Sequence, residues 1–322
     1  MAFRCGIVAA VFEVKVGVPT AIAQEIALLK LACNTQIMKN LLNSGMRQGL
    51  LWFGMLSALL LPVSAATATT KTAEAGKIKA ELSYQKANTE YTQFNNLRLK
   101  ITRAGKTLLD QPLPDSEGNW PLVALDTEWA QENAGSTFQV RNLDANPEPE
   151  VLIDLFTGGA HCCTYSLIYR YNPKTQQYNS DRYEWGNGGY KLQDLDKNGI
   201  PEFKARNDAF AYAFGSYAGS GYPIQIWQYR QGKMIDVTRQ YPKLIYNDAY
   251  FWWQAFLEHQ NDGVEYGKGP LAAYLANKYL LGQGQDGWQK VQQAYKGSDR
   301  QQFFNELRRF LRETGYISGN SR

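Results

Sequence analysis

The residues best spaced for chemistry lie at 194–202, read as DLDKNGIPE. Asp194, Asp196 and Asn198 stand at alternate positions, Gly199 follows, and Glu202 comes ninth from Asp194. Alternate oxygen-bearing side chains on a tightly turned loop converge on one point, and such a point suits a hard cation that needs six or more oxygens. Calcium is the natural occupant, with Ile200 lending its backbone carbonyl and Lys197 pointing outward. Asp, Asn and Gly are also good turn formers in their own right. Three acids at fixed offsets favour the cation, because without one they repel one another.

A second group, TGGAHCCTY at 157–165, sets His161 beside Cys162 and Cys163. Adjacent Cα atoms lie about 3.8 Å apart, below the roughly 4.4 Å at which disulfides usually begin. A bridge between neighbours is therefore strained, yet an oxidising compartment with no other partner in the processed chain favours it. Such a bridge makes a rigid apolar knob able to contact a ligand. Two reduced cysteines packed on opposite faces of a strand remain the alternative. A nucleophile needs an oriented base within reach, which the neighbouring His161 and the remote His259 do not supply, and soft-metal binding lacks the spacing that lets side chains converge. An aromatic loop, YAFGSYAGSGY, offers Tyr212, Tyr217 and Tyr222 as further candidate ligand surface.

The elements that must position these groups repeat. VRNLDANPEPEV (140–151) aligns with LQDLDKNGIPEF (192–203) at an offset of 52, pairing Asp144 with Asp196, Asn146 with Asn198 and Glu150 with Glu202. Each copy leads to an aromatic strand, SLIYRYN or IQIWQYRQG. A period of this size is one supersecondary unit, such as a propeller blade. The first copy supplies a second, weaker candidate loop of Asn142, Asp144, Asn146, Glu148 and Glu150, with Pro147 where the other has Gly199. Proline holds φ near −65°, so the two turns must differ.

These loops resemble the calcium loops of FG-GAP and VCBS-type repeats, which build the propeller head of integrin α chains. The match rests on D-x-D-x-N-G-x-x-E and N-x-D-x-N-P-x-x-E and spans about residues 138–232. The resemblance implies calcium at the second loop. Two copies do not close a propeller, so the expected form is a partial, open array.

From Lys77 to about Val140 the pattern is also β-like: IKAELSYQ and LRLKITRAG alternate, and TLLDQPLP ends in prolines. Residues 66–76 (ATATTKTAEAG) read as a disordered lead-in. Beyond Tyr241 the period becomes helical. Pro270 is expected to open LAAYLANKYLL, and Trp288, Val291 and Tyr295 make the next stripe. Ser298 and Gln301 form a capping box before Phe303, Phe304, Leu307, Phe310 and Leu311. In 247–258, Tyr250, Trp253 and Leu257 share one expected face, leaving Phe251 and Trp252 as surplus aromatics. The predicted fold class is α+β: an antiparallel β-rich N-terminal and central β-repeat region (77–240), then an all-helical C-terminal segment (241–322).

The front of the chain bears on compartment. From Met46, MRQGLLWFGMLSALLLPVSAATA has the order of a secretory signal peptide, too short to span a membrane. It begins 45 residues late, so residues 1–45 read as an over-extended gene start and 46–65 as the leader. Residues 1–65 hold five basic and two acidic residues, so the processed chain has a formal charge near +1 rather than +4. That balance gives no electrostatic case for nucleic acid or for an anionic membrane.

The expected function is that of a periplasmic or extracellular calcium-stabilised binding module, with a glycan or a protein as ligand and no stable membrane span after processing. A hydrolase using Asp154, Glu184 or Asp208 is the alternative. It lacks a G-x-S-x-G elbow, an H-E-x-x-H, a P-loop and a Rossmann fingerprint. A redox-responsive Cys162–Cys163 pair ranks third.

Overall fold

The computed structural model describes residues 68–87, 93–114, 118–125, 137–159, 162–258 and 264–317. The expected leader at 46–65, the segment 1–45, His161 and His259 lie outside them. The described residues form antiparallel sheets followed by helices, an α+β arrangement in which no sheet closes on itself.

The first sheet has the order β1 (Ala68–Ala75), β2 (Ile78–Ala87), β3 (Gln93–Arg103) and β4 (Lys106–Pro112). The second joins β5 (Trp120–Pro121), β6 (Phe138–Arg141), β7 (Glu150–Phe156), β8 (Thr164–Asn172) and β9 (Gln177–Gly186), with β5 and β6 both pairing β7. The third runs β10 (Tyr190–Gln193), β11 (Glu202–Arg206), β12 (Ile224–Arg230) and β13 (Lys233–Asp236). Strands β6 to β9 and β10 to β13 are both four-stranded meanders, as the offset of 52 requires.

The expected disorder of 66–76 is overturned from Ala68 onward: β1 pairs along its whole length with β2. ATTKTAEA shows no apolar alternation because the strand is an exposed edge, held by its backbone ladder rather than by buried side chains. Gly76, with φ +58°, turns the chain back.

The layers stack through the two faces of their strands. Val151, Ile153 and Leu155 of β7 pack with Ile78, Leu82, Leu99 and Ile101 of the first sheet. Leu152 and Ile168 point the other way, onto Phe203, Ala205 and Tyr229 of the third sheet. A strand buried on both faces reads as a continuous apolar run rather than an alternating one, and VLIDLF is such a run. The outer face of the third sheet, Ile224 and Ile226, packs on Ile245 and Leu280 of the helices.

The helices are α1 (Pro242–Glu258), α2 (Val264–Leu280), α3 (Gly284–Ala294) and α4 (Arg300–Glu313). None of the described helices is long and apolar enough to cross a membrane. Three helical expectations are corrected. Pro270 lies inside α2 rather than at its first turn. Asp299, not Ser298, precedes α4, and its carboxylate meets Lys268 and Tyr295 instead of capping the helix. On α1 the buried residues are Ile245, Asp248, Ala249 and Phe256, while Tyr250, Phe251 and Leu257 are exposed. A buried aspartate turned the face: Asp248 accepts from Arg206, from Ile224 N at 3.0 Å and from Asn277 Nδ2 at 2.8 Å, tying helix to sheet.

Candidate functional site

The two repeat loops share one backbone design. Glu150 Oε2 accepts from Leu143 N and Glu202 Oε2 from Leu195 N, each at 2.9 Å. Ala145 and Lys197 both take left-handed φ values, 63° and 64°. Side-chain oxygens then bond amides two residues on: Asp144 to Asn146 N and Asn146 to Glu148 N in one loop, Asp196 to Asn198 N and Asn198 to Ile200 N in the other. These Asx turns explain why Asp and Asn occupy alternate positions.

Their charge balance differs. In the second loop Asp194, Asp196 and Glu202 bring carboxylate oxygens within 4.8 Å of one another. Asp194 accepts from Asn198 N and Gly199 N, and Gly199 manages this at φ +92°. No Lys, Arg or His pairs with any of the three acids among the described residues. Glu202 is buried at 0% exposure, and burial, then the neighbouring Asp196 and Asp194, push its carboxyl up against the opposing Leu195 N–H bond. A hard-oxygen donor set drawn together this closely fits calcium, which would be held by Asp194, Asp196, Asn198 and Glu202 with the Ile200 carbonyl.

In the first loop the cation is built in. Arg170 Nε lies 3.5 Å from Asp144 Oδ2, and the Asp144 side chain is 1% exposed. Glu148 is held by Arg103, at 2.7 Å, and by Lys77, at 3.1 Å, whose bonds keep its carboxyl below the usual range. Asn142 donates its side-chain amide to Asn146 O. Glu150 Oε1 is buried without a partner, and burial pushes that carboxyl up to about 7. Val151 pairs with Tyr169 and Phe203 with Trp227, so continuing the register sets Arg170 opposite Glu150 and Gln228 opposite Glu202. Gln228 Nε2 reaches Glu202 Oε1 at 3.3 Å. One repeat places a guanidinium where the other places a neutral amide.

The Cys-Cys loop sits at the mouth of β7 and β8. Cys162 is bonded to Cys163, Thr157 Oγ1 donates to Cys162 O at 2.9 Å, and Cys163 N donates to Thr157 Oγ1 at 2.8 Å. A Cβ on Gly159 would lie 2.3 Å from Cys162 O, so the bend admits only glycine there. Tyr212 and Tyr217 are exposed, with ring centroids 5.8 Å apart, whereas Tyr222 is half-buried and its carbonyl accepts from Arg206 and Trp252.

The three carboxylates considered for hydrolysis separate. Asp154 is buried between the second and third sheets, accepting from Ser166 Oγ and from Tyr190 Oη at 2.9 Å, and burial pushes it up to about 7. Glu184 and Asp208 instead line one cleft. The sequence reasoning passed over Arg170, Gln228 and Asp248. Arg170 could have been found by extending the repeat alignment across the aromatic strand to the residue facing Glu150; Asp248 sits in a helical stripe that carries no such signal.

With this geometry in hand, three comparisons bear on the chain. A family model described as the sll0997 C-terminal domain matches residues 245–315, the helical region. The chain is 28% identical over 268 residues to the "Probable thylakoid lumen protein sll0997" of Synechocystis sp. (strain ATCC 27184 / PCC 6803 / Kazusa), an alignment covering 76% of this chain and 75% of that one. It is 29% identical over 237 residues to the "Uncharacterized protein y4bJ" of Sinorhizobium fredii (strain NBRC 101917 / NGR234), covering 70% of this chain and 33% of that protein, so it spans about a third of that relative's length. No solved structure matches the chain.

Proposed function

We propose that this is an exported β-repeat protein, stabilised by calcium at residues 194–202 and acting as a binding module outside the cytoplasm. The observation that carries the reading is the contrast between the loops: the same backbone frame holds acids paired with Arg170, Arg103 and Lys77 in one repeat and an acid cluster with no basic partner among the described residues in the other. An external cation supplies the charge that Gln228 does not. The FG-GAP and VCBS resemblance of the second loop supports calcium as that cation. The leader-like segment from Met46 and the lumenal relative support export.

Thermal unfolding with calcium and with chelator tests the reading. Calcium at about 100 times its dissociation constant adds about 2.7 kcal/mol, which raises the melting temperature by about 5 to 10 °C for a domain of this size. Asp196→Ala should remove that rise and melt like the wild type in chelator. A wild-type melting temperature indifferent to calcium would overturn the assignment.

A further inference from the structure

A cleft of about 300 Å³ opens where the second and third sheets part, at the strand ends beyond their shared core. Its walls are aromatic or soft: Tyr183 and Trp185 from β9, Trp227 from β12 and Met234 from β13. Its polar groups are the Asp208 carboxylate just after β11, Asn207, and Gln225, which shares the inward face of β12 with Trp227; Glu184 also borders the cleft, but it pairs with Tyr165 and stands on the face of β9 opposite Tyr183 and Trp185.

Both carboxylates are oriented by one oxygen. Arg182 Nε donates to Glu184 Oε1 at 2.6 Å, and Asn187 donates to Asp208 Oδ1 through its backbone N–H, at 2.9 Å, and its Nδ2, at 2.8 Å. Glu184 Oε2 and Asp208 Oδ2 receive no donor from the described residues. Asp208 stands in place because β9 ends in glycine: a Cβ on Gly186 would come within 2.0 Å of the Asp208 Cγ. The one basic group on the lining, Arg206, is committed through Nη1 to Asp248 and to the Tyr222 carbonyl. The flat walls are likewise held, since Trp185 Nε1 donates to Ser166 at 2.7 Å and Tyr183 Oη to Gly232 O at 2.9 Å.

A ligand for this cleft must bring an apolar face and groups that both donate, to Asp208, and accept, from the Gln225 amide. We propose that the cleft binds a neutral saccharide, whose ring presents C–H groups to Trp227 and Tyr183 while its hydroxyls donate to Asp208 Oδ2 and accept from the Gln225 amide. The volume lies at the lower end of the range for ligand pockets, about 300 to 1,000 Å³, and suits one or two sugar rings. Aromatic walls with a few placed polar groups are the usual make-up of such sites. The proposal deepens the binding-module reading, and it does not depend on the calcium loop.

The test is titration of the full chain with cellotriose, maltotriose and triacetylchitotriose, followed by tryptophan emission and by saturation-transfer NMR, each in calcium and in chelator. At least one trisaccharide is expected to bind saturably. Trp227→Ala and Asp208→Asn should weaken it at least tenfold, with far-ultraviolet circular dichroism unchanged in the asparagine variant. No saturable binding by any of the three overturns the proposal, as does binding that both variants retain. Saturation by tetramethylammonium alone would overturn it in favour of a cationic ligand. The melting experiment above decides the calcium reading separately, so the two fail independently.

Discussion

The loops at 142–150 and 194–202 are one backbone solution with two electrostatic completions. Each is closed by a buried glutamate, each turns at a left-handed residue, and each begins the central strand of its sheet. The first carries its own cation on β8, and Glu148 is spent on Arg103 and Lys77 of other strands. The second faces Gln228 and leaves three acids unmatched. The difference teaches that one repeated oxygen-rich loop can be completed by two different charge balances. What decides is the residue across the sheet, which loop motifs do not include.

The largest break in this comparison comes from giving the first loop the second loop's partner. Arg170→Gln leaves the buried Asp144 carboxylate without its guanidinium; because Arg170 is itself 31% exposed, the cost falls at the low end for a buried pair, about 3 kcal/mol. The loss should be the same in calcium and in chelator, because Glu148 is held elsewhere and the loop offers no third carboxylate. Urea unfolding of the variant in both conditions checks it. Recovery on adding calcium would show that the first loop is a metal site masked by arginine.

The repeat extends one step further along the strand. Asp154 and Arg206 occupy equivalent positions at the offset of 52, and each ties its sheet to the next layer: Asp154 to Tyr190 of the third sheet, Arg206 to Asp248 of α1. Asp248→Ala removes the acceptor of Arg206, Ile224 N and Asn277 together. It should cost about 3 kcal/mol and should split thermal unfolding so that helical signal is lost before β signal. A single, unshifted transition would mean that apolar contacts alone dock the helices.

Asp154 gives a smaller, pH-dependent effect. Burial disfavours the charge and pushes its folded carboxyl up to about 7, from the ordinary aspartate value of 3.8. Folding therefore favours the protonated form; that contribution is complete below the unfolded pKa and is lost as pH rises through about 7. From pH 5 to pH 8 the protein should lose about 2 to 3 kcal/mol from this group. Asp154→Asn should flatten the profile, and an unchanged slope in denaturant titrations would assign the effect to another group.

Much of this architecture was legible in the sequence because backbone periodicity survives in residue types. The offset of 52, the strands IKAELSYQ and LRLKITRAG and the stripe on α4 all appear where alternation or helical spacing placed them. β1 was missed because an exposed edge strand needs no apolar face. The buried face of α1 is not legible in its aromatic pattern, because Tyr250 and Phe251 face solvent while the anchor is Asp248, a polar residue satisfied by partners 24 to 42 positions away. Of the candidate site, the donor loop was readable as a local pattern. The Arg170 and Gln228 contrast stands in the aligned strands SLIYRYN and IQIWQYRQG, but only the register sets it against the loops, and the cleft beside Asp208 arises only when strands distant in sequence are laid side by side.

The smallest effect probes what the two loops share. Ala145 and Lys197 sit at φ near +63° without being glycine, a conformation that costs an L-residue about 1 to 2 kcal/mol. Glycine relieves that cost but adds freedom to the unfolded chain, worth roughly 0.5 to 1 kcal/mol the other way. Ala145→Gly and Lys197→Gly should therefore each stabilise by about 0.5 kcal/mol. Neither position ligates or neutralises anything, so the gains should match each other in calcium and in chelator alike. A gain at Lys197 that appears only in chelator would mean that its turn is formed by the cation rather than by the backbone, and the equivalence of the two frames would fail at its first shared feature.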